Sequence, residues 1–394
     1  MNDITKAWNI DDLRRMAKRN VPKPFFDYLE GGANSETTMQ SNRSDYARWD
    51  LKQRVLVGIQ DHTTDLGTSY LGSHHNLPLL LGPVGFAGMY HRRGEIAAGR
   101  AARKAGIAQV LSTFSIASLE EVVQSNGTSL YFQLYMFRKR ELTEHMLSRC
   151  RAAHIDTIFL TVDTPFPPLR ERDERNGFRA RKTISPGMLL SMMKHPAWCL
   201  GAISKGMPTI GNCKPYPDLG KSLMEQSVNL GRMVDPTLSW ADIRWLRDRW
   251  NGKIVIKGIL DTDDARRAID EGADAIVVSN HGGRQLDPAP STISLLPEIA
   301  DAVGGKIDIL MDGGIRRGAD ILKALALGAT AVLLGRAYIY GLGAGGERGV
   351  TRCLDLLRQE IGPALNMMGF HTIAELKAAG RSALRPNPFT QAYC

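Results

Sequence analysis

Cysteine is scarce and scattered: the 394-residue chain has five, Cys150, Cys199, Cys213, Cys353 and Cys394, none in a CxxC spacing. An odd, dispersed set argues against a disulfide framework and a structural zinc site, and fits reduced thiols in a cytoplasmic protein. No apolar run approaches the ~20 residues of a membrane span. The N-terminus, MNDITKAWNIDDLRRMAKR, is charged throughout and lacks the apolar core of a signal peptide. Lys and Arg outnumber Asp and Glu by 50 to 41, giving a net charge of +9. These cations are dispersed, and no long basic run carries interleaved aromatics, which argues against nucleic acid and leaves anionic ligands or an anionic membrane surface. No GxGxxG follows the first strand-like run, so a Rossmann fold is disfavoured.

What is present is a regular repeat in a chain that is 43% hydrophobic, ample for a large core. Residues 1–60 read as short helices. DDLRRMAKR comes first, Pro22 and Pro24 punctuate, and FFDYLEGGA ends in a glycine pair of the kind that closes helices. Short apolar runs then recur: LPLLLGPVG (77–85), AQVLST (108–113), LYFQLY (130–135), TIFLTVD (157–163), IVIKGI (254–259), AIVVSN (275–280), DILMDGG (308–314) and AVLLGRA (331–337). Most are continuous rather than alternating, as in parallel strands buried on both faces. Helical patterns lie between them, and VTRCLDLLRQEIGPALNMM follows the last.

This repeat predicts an α/β protein, a TIM (β/α)₈ barrel with an N-terminal helical segment and a long insertion after strand 4. The expected division is 1–60, a helical segment closing on the barrel; 77–365, the barrel, with the insertion at about 165–238; and 366–394, a C-terminal helix and tail. The middle of the insertion, SPGMLLSMMKHPAWCLGAISKGMP, admits three readings: a lid, a segment touching a membrane, or a helix packed on the barrel.

Barrel sites form at the C-terminal ends of the strands. Those ends carry Ser112–Thr113, Gln133 with Tyr135, Asp163, Lys257, Ser279–Asn280–His281, Asp312–Gly313–Gly314 and Gly335–Arg336. An isolated histidine is usually structural. Polar groups at one end of nearly every strand are not what a structural barrel needs, because burying them unpaired is costly. SNHGGRQLD (279–287) sets a base, two glycines for a sharp turn and Arg284 close together. Arg170 follows strand 4 in LRERDERN, where a solvated charge run is the competing reading. Two guanidiniums near a base suit a carboxylate substrate. DGGIRRG and LGRA add glycine amides with Arg316 and Arg336, a phosphate cradle where barrels usually build one.

These residues, with FFDYLEGGA, FQLY, LTVDTP, IKGI and KALALGA, resemble the FMN-dependent L-2-hydroxy-acid oxidases and dehydrogenases, a family that includes glycolate oxidase, bacterial L-lactate dehydrogenase and (S)-mandelate dehydrogenase. The resemblance implies FMN as cofactor and a small 2-hydroxy carboxylate as substrate. It implies that His281 removes a proton, that Asp163 pairs with its imidazolium, and that Arg284, Arg170 and the Tyr28 hydroxyl hold the carboxylate. Tyr135 would bond the oxygen at the reacting carbon, and Lys257 would offset negative charge at the flavin edge. Pro83, Val84 and Gly85, with Ser112, Gln133, Thr161 and Ser279, would contact the cofactor. Asp312, Gly313, Gly314, Arg316, Gly335 and Arg336 would bind its ribityl and phosphate groups.

Two departures bear on specificity. Phe114 stands where glycolate oxidase carries Trp, and with Phe166, Pro167 and Pro168 it suggests an aromatic-lined substrate pocket. Gly85 stands where several oxidases carry Ala, which favours a dehydrogenase passing electrons to a quinone or protein over oxygen. The resemblance further implies a homotetramer, cytoplasmic or peripheral on the inner membrane face through 180–210. The alternative is an FMN-dependent barrel of another reaction type, such as an isomerase, which would not need His281, Arg284 and Arg170 together.

Overall fold

Each apolar run forms a strand, and all but the fifth, whose strand spans its lysine, stop short of the end of the run. The computed structural model describes residues 3–58, 64–127, 130–176, 186–203 and 208–388. Its core is eight parallel strands: β1 (Leu79–Leu81), β2 (Gln109–Ser112), β3 (Leu130–Leu134), β4 (Thr157–Thr161), β5 (Lys253–Ile259), β6 (Ala275–Val278), β7 (Asp308–Met311) and β8 (Ala331–Leu334). They pair in chain order and close into a barrel, β8 beside β1. Successive side chains point to opposite faces. Leu80, Val110, Phe159, Val255, Val277, Leu310 and Leu333 therefore fill the interior. Their neighbours Leu79, Leu111, Ile158, Ile254, Ile276, Ile309 and Val332 pack outward beneath the helices. Both faces are apolar, which is why the runs are continuous.

A hairpin, Thr68–Tyr70 with Ser73–His75, closes the N-terminal end. Tyr70 and Leu71 join the interior cluster, and the Tyr70 hydroxyl donates to Leu79 O at 3.1 Å. The sequence reading did not anticipate this hairpin. Nor did it anticipate the antiparallel pair of Trp49–Leu51 with Leu384–Pro386, which ties the N-terminal segment to the tail. Strands of three residues are too short to show periodicity.

The helix after β8 is also longer than the pattern suggested, and a further helix, Ile373–Ala379, follows it. The longer one runs Arg336–Met367, directly from β8, with a break at Gly345–Gly346 that hid its first turns. Helix Ile10–Asn20 packs along it, burying Ile10, Leu13, Met16 and Ala17.

The insertion forms helices Glu171–Asn176, Pro186–Met193, Pro196–Ile203 and Leu223–Met233; residues 177–185 and 204–207 of it, and 389–394 of the tail, lie outside the described residues. Its middle has two faces. Trp198 stacks on Phe25 at 4.9 Å and donates from Nε1 to Met89 O, and Met188 is buried. Leu189, Leu190, Met193 and Leu200 are exposed. Among the described residues no helix is long and apolar enough to cross a membrane.

Candidate active site

At the C-terminal mouth lies a cavity of about 1550 Å³, walled by the strand ends, helix Lys23–Glu30 and the insertion. A site for one small ligand usually spans ~300–1000 Å³. This one has room for a cofactor and a substrate together. Of the residues to which the resemblance gives a role, all but Asp163 and Ser279 line it; these two stand one layer behind the wall, as do Thr113 and Asn280.

His281 owes its place to a tight turn after β6. His281, Gly282 and Gly283 have φ of +56°, +66° and +72°, the left-handed region that suits glycine and strains histidine. A Cβ on Gly283 would sit 2.6 Å from Met39 N, so only glycine fits there. The His281 amide donates to Ser279 Oγ at 3.1 Å, and Nδ1 lies 2.9 Å from Asp163 Oδ1. With Nδ1 engaged, Nε2 is the nitrogen left for the cavity. Burial would raise the Asp163 carboxyl, but the His281 charge and hydrogen bond, with Lys257, bring it below the usual carboxylate range. Asp163 is 12% exposed at its side chain, against 23% for His281. The glycine of IKGI makes the fit: β5 bulges there, and a Cβ on Gly258 (φ +120°) would approach Asp163 Cβ to 2.6 Å.

Lys257, 4% exposed, lies 2.9 Å from Asp312 Oδ2 and donates to Ser279 Oγ at 2.8 Å. Ser279 in turn donates to Asp312 Oδ1 at 2.8 Å. Ser279, fully buried, thus links Lys257, Asp312 and the His281 backbone. Burial disfavours the Lys257 ammonium, yet the charges of Asp312 and Asp163 outweigh it and raise its pKa. On the neighbouring wall Gln133 donates to Thr161 Oγ1 at 3.0 Å and accepts from Ser112 Oγ at 3.2 Å. Asn212, from the insertion and absent from the sequence reading, braces this wall by donating to the Thr113 carbonyl and Ser115 Oγ.

Four guanidiniums complete the mouth. Arg336 donates to the carbonyls of Leu29, Gly282 and Gly31, each at 2.9 Å. Arg284 donates to the carbonyls of Tyr28 and Gly31 and stacks 4.7 Å over the Tyr28 ring. Arg170 reaches Arg284 O and Gln285 Oε1. Arg316 Nε is buried with no hydrogen-bond partner among the described residues. Burial, then the charges of Arg284 and Arg316, lower the Arg336 guanidinium to about 10. Buried cations held on carbonyls are built to meet an anion. The first turn of helix Arg336–Met367 faces the same place and adds its positive end.

The aromatic wall was only partly legible. The rings of Tyr28, Phe86, Phe114 and Tyr135 form a chain with centroids 6.1, 5.8 and 5.6 Å apart, each contact edge-on. Phe114 was anticipated as pocket-lining; Phe86 and Phe25 also line the cavity and were not, while Met192 and Trp198 come from the segment for which a lid was one of three readings. Phe166 lines it too, but is 72% exposed at the rim.

The orphaned guanidinium nitrogen, the lowered Arg336 and the glycine turns at β7 and β8 fit a phosphate, and the Ser112–Gln133–Thr161 wall fits a polar heteroaromatic ring beside it. That combination defines a flavin-mononucleotide barrel. The chain belongs to the FMN-dependent dehydrogenase family, whose model matches residues 17–383. This decides against the isomerase alternative. The chain is 44% identical over 366 residues to L-lactate dehydrogenase of Chromohalobacter salexigens, covering 93% of each chain. It is likewise 44% identical over 368 residues to L-lactate dehydrogenase of Actinobacillus pleuropneumoniae, covering 93% of this chain and 96% of that one. Among solved structures, the monotopic membrane protein (S)-mandelate dehydrogenase superposes with a TM-score of 0.91 at 38% identity, over 97% of this chain and all of that one. Mandelate oxidase with (S)-4-hydroxymandelic acid gives 0.82 at 34% identity, over 96% and 98%.

Proposed function

We propose that this FMN-dependent dehydrogenase oxidises an L-2-hydroxy carboxylate, lactate- or mandelate-like, to the 2-oxo acid. The observation that carries this reading is the His281–Asp163 pair on a wall shared with Arg284 and Arg170. Arg284 and Arg170, with Tyr28, bind the substrate carboxylate. His281 takes up a proton of the substrate at Nε2, and Asp163, already ionised, stabilises the imidazolium that results. Tyr135 donates to the oxygen at the reacting carbon. FMN, when bound, supplies the two-electron acceptor. Arg316, Arg336 and the amides near Gly313, Gly314 and Gly335 hold its phosphate end, with Asp312 toward the ribityl chain. Pro83, Val84, Gly85, Ser112, Gln133 and Thr161 hold the ring, and Lys257 keeps a fixed cation beside it. Anaerobic mixing with L-lactate, (S)-mandelate and glycolate tests the proposal: the first two bleach the yellow protein. No bleaching by any of them sinks the reading, and a strong preference for glycolate sinks the roomy aromatic pocket.

The relatives named for lactate and mandelate support this substrate range, and Phe114 and the cavity volume support the aryl end of it. The exposed Leu189, Leu190, Met193 and Leu200 of the insertion, at 52–74% exposure, support peripheral membrane contact and a quinone as acceptor. Co-sedimentation with anionic vesicles, lost when these four become Ser, checks the contact. Hydrogen peroxide formed as fast as substrate is consumed would overturn the quinone. A homotetramer, carried from the family resemblance, is read by light scattering.

A further inference from the structure

Glu95 is a buried carboxyl that the chemistry above does not use. It stands in the first turn of helix Gly94–Ala105, is 2% exposed, and forms no ion pair among the described residues. Its Oε1 accepts from Gly88 N at 3.0 Å and from Ile116 N at 2.9 Å, while Oε2 has no hydrogen-bond partner among the described residues. Gln109 of β2 anchors it from below by donating to Glu95 O at 3.0 Å. One oxygen thus joins two loops: the one after β1 that carries Phe86 and the one after β2 that carries Phe114. The same loops meet again where Phe86 N donates to Phe114 O at 2.9 Å. Gly88 permits the approach, since a Cβ there would lie 2.6 Å from Ile116 Cβ.

A carboxyl buried without a cation is costly, so a mere turn would use a smaller group. We infer that Glu95 is a positioning residue that sets the spacing of the Phe86–Phe114 wall and so the discrimination between small and aryl 2-hydroxy acids. Burial holds its carboxyl above the usual carboxylate range against the amides of Ile116 and Gly88, so a neutral amide can replace it.

The inference rests on the proposed reading that this wall meets the substrate side chain. The test is kcat/KM for L-lactate and (S)-mandelate, with flavin content, in the FMN-loaded enzyme and four variants. Glu95→Leu, which keeps bulk but loses the acceptor, shifts the mandelate-to-lactate ratio by about tenfold or more, mainly through KM for mandelate. Glu95→Gln keeps the acceptor and the native ratio. Gly88→Ala, which pushes apart the loops that Glu95 joins while leaving its carboxyl in place, shifts the ratio as Glu95→Leu does and decides the matter if that variant does not fold. An unchanged ratio in flavin-loaded Glu95→Leu, or in Gly88→Ala when Glu95→Leu does not fold, overturns the inference. So does a Glu95→Gln ratio that moves as far as that of Glu95→Leu. Phe114→Ala separates the two failures. If it leaves the ratio unchanged, the wall does not see the substrate and both readings fall; if it shifts the ratio while Glu95→Leu does not, only the role of Glu95 falls.

Discussion

At the N-terminal end of the barrel His75 lies flat against Tyr70, ring centroids 3.8 Å apart, with Nε2 buried and unpartnered. At the C-terminal end His281 is held in a left-handed turn with its Nδ1 on a carboxylate. Burial, helped by the charge of His74, drives the His75 imidazole down to about 4, so it is neutral packing. The lysines divide the same way. Lys377, by the hairpin, donates to Thr68 Oγ1 and is lowered to about 8 by burial, whereas Lys257 is raised by Asp312 and Asp163. At one end of the barrel burial shifts ionisable groups toward their neutral forms, and the other supplies countercharges that keep them ionised where catalysis needs them.

The sharpest way to break this comparison is His281→Asn. It removes the base and keeps a polar group of similar size, so kcat should fall by about 10³-fold, near 4 kcal/mol. FMN content and Tm should be nearly unchanged. Stopped-flow flavin bleaching measures the loss, and a variant that bleaches within tenfold of the parent ends the assignment. Next in size is Arg170→Met. Losing one charged hydrogen-bond donor to the substrate should weaken binding by about 1.5–3 kcal/mol. That appears as a rise in KM of roughly ten- to a hundredfold with a smaller change in kcat. If KM holds while Tm falls, Arg170 only braces Arg284 and Gln285, and its substrate role fails.

A smaller effect separates the ends by pH. The folded His75 titrates below its unfolded value, so its contribution is present above about 6.5 and is lost as pH falls toward about 4. Asp163 is also depressed, and its contribution is lost only as pH falls through its lowered carboxylate pKa. Between pH 6.5 and 4.5 the acid loss of Tm therefore falls on His75, with a share from His91 after β1, which burial also lowers, rather than on Asp163. His75→Phe, which keeps the stack on Tyr70, should flatten Tm across that window by a few degrees. An unchanged slope would show that His75 is not the group responsible.

The barrel and most of its site could be read from residues because the strand-end rule ties position to function. Asp163, Lys257, His281 and Arg336 all follow buried runs at the same end. Depth could not be read. Asp163 and Ser279 sit in the same kind of strand-end position as residues on the wall, yet only three-dimensional packing sets them behind it. The His281 turn was visible through its glycines, but the reason for Gly283, the backbone of Met39, lies far away in the chain. Phe86 was invisible for another reason: an aromatic in a loop has no period, and only its partner says which way it faces; Trp198 lay in a segment open to three readings, and its stack on Phe25 decides which way it faces. Glu95 was hidden because an acidic residue in the first turn of a helix already has an ordinary explanation in the helix dipole.

The smallest effect uses one residue type at both ends. Tyr70 is a buried phenol and Tyr135 a partly buried one, and in both burial pushes the hydroxyl above the ordinary tyrosine range. Tyr70 donates to Leu79 O at the foot of β1, inside the apolar cluster that closes the barrel. Tyr135 follows β3 and lines the cavity. Tyr70→Phe removes one neutral hydrogen bond from a well-packed place, worth about 1 kcal/mol. For a chain of this length that is roughly 1–2 °C in Tm. Turnover should not move, because nothing at the hairpin touches the mouth except through eight continuous strands. Tyr135→Phe should do the reverse, lowering kcat with Tm held. If Tyr70→Phe slows turnover at a temperature where the protein is fully folded, the two ends are mechanically coupled, and the division between a packed end and a reactive end is wrong.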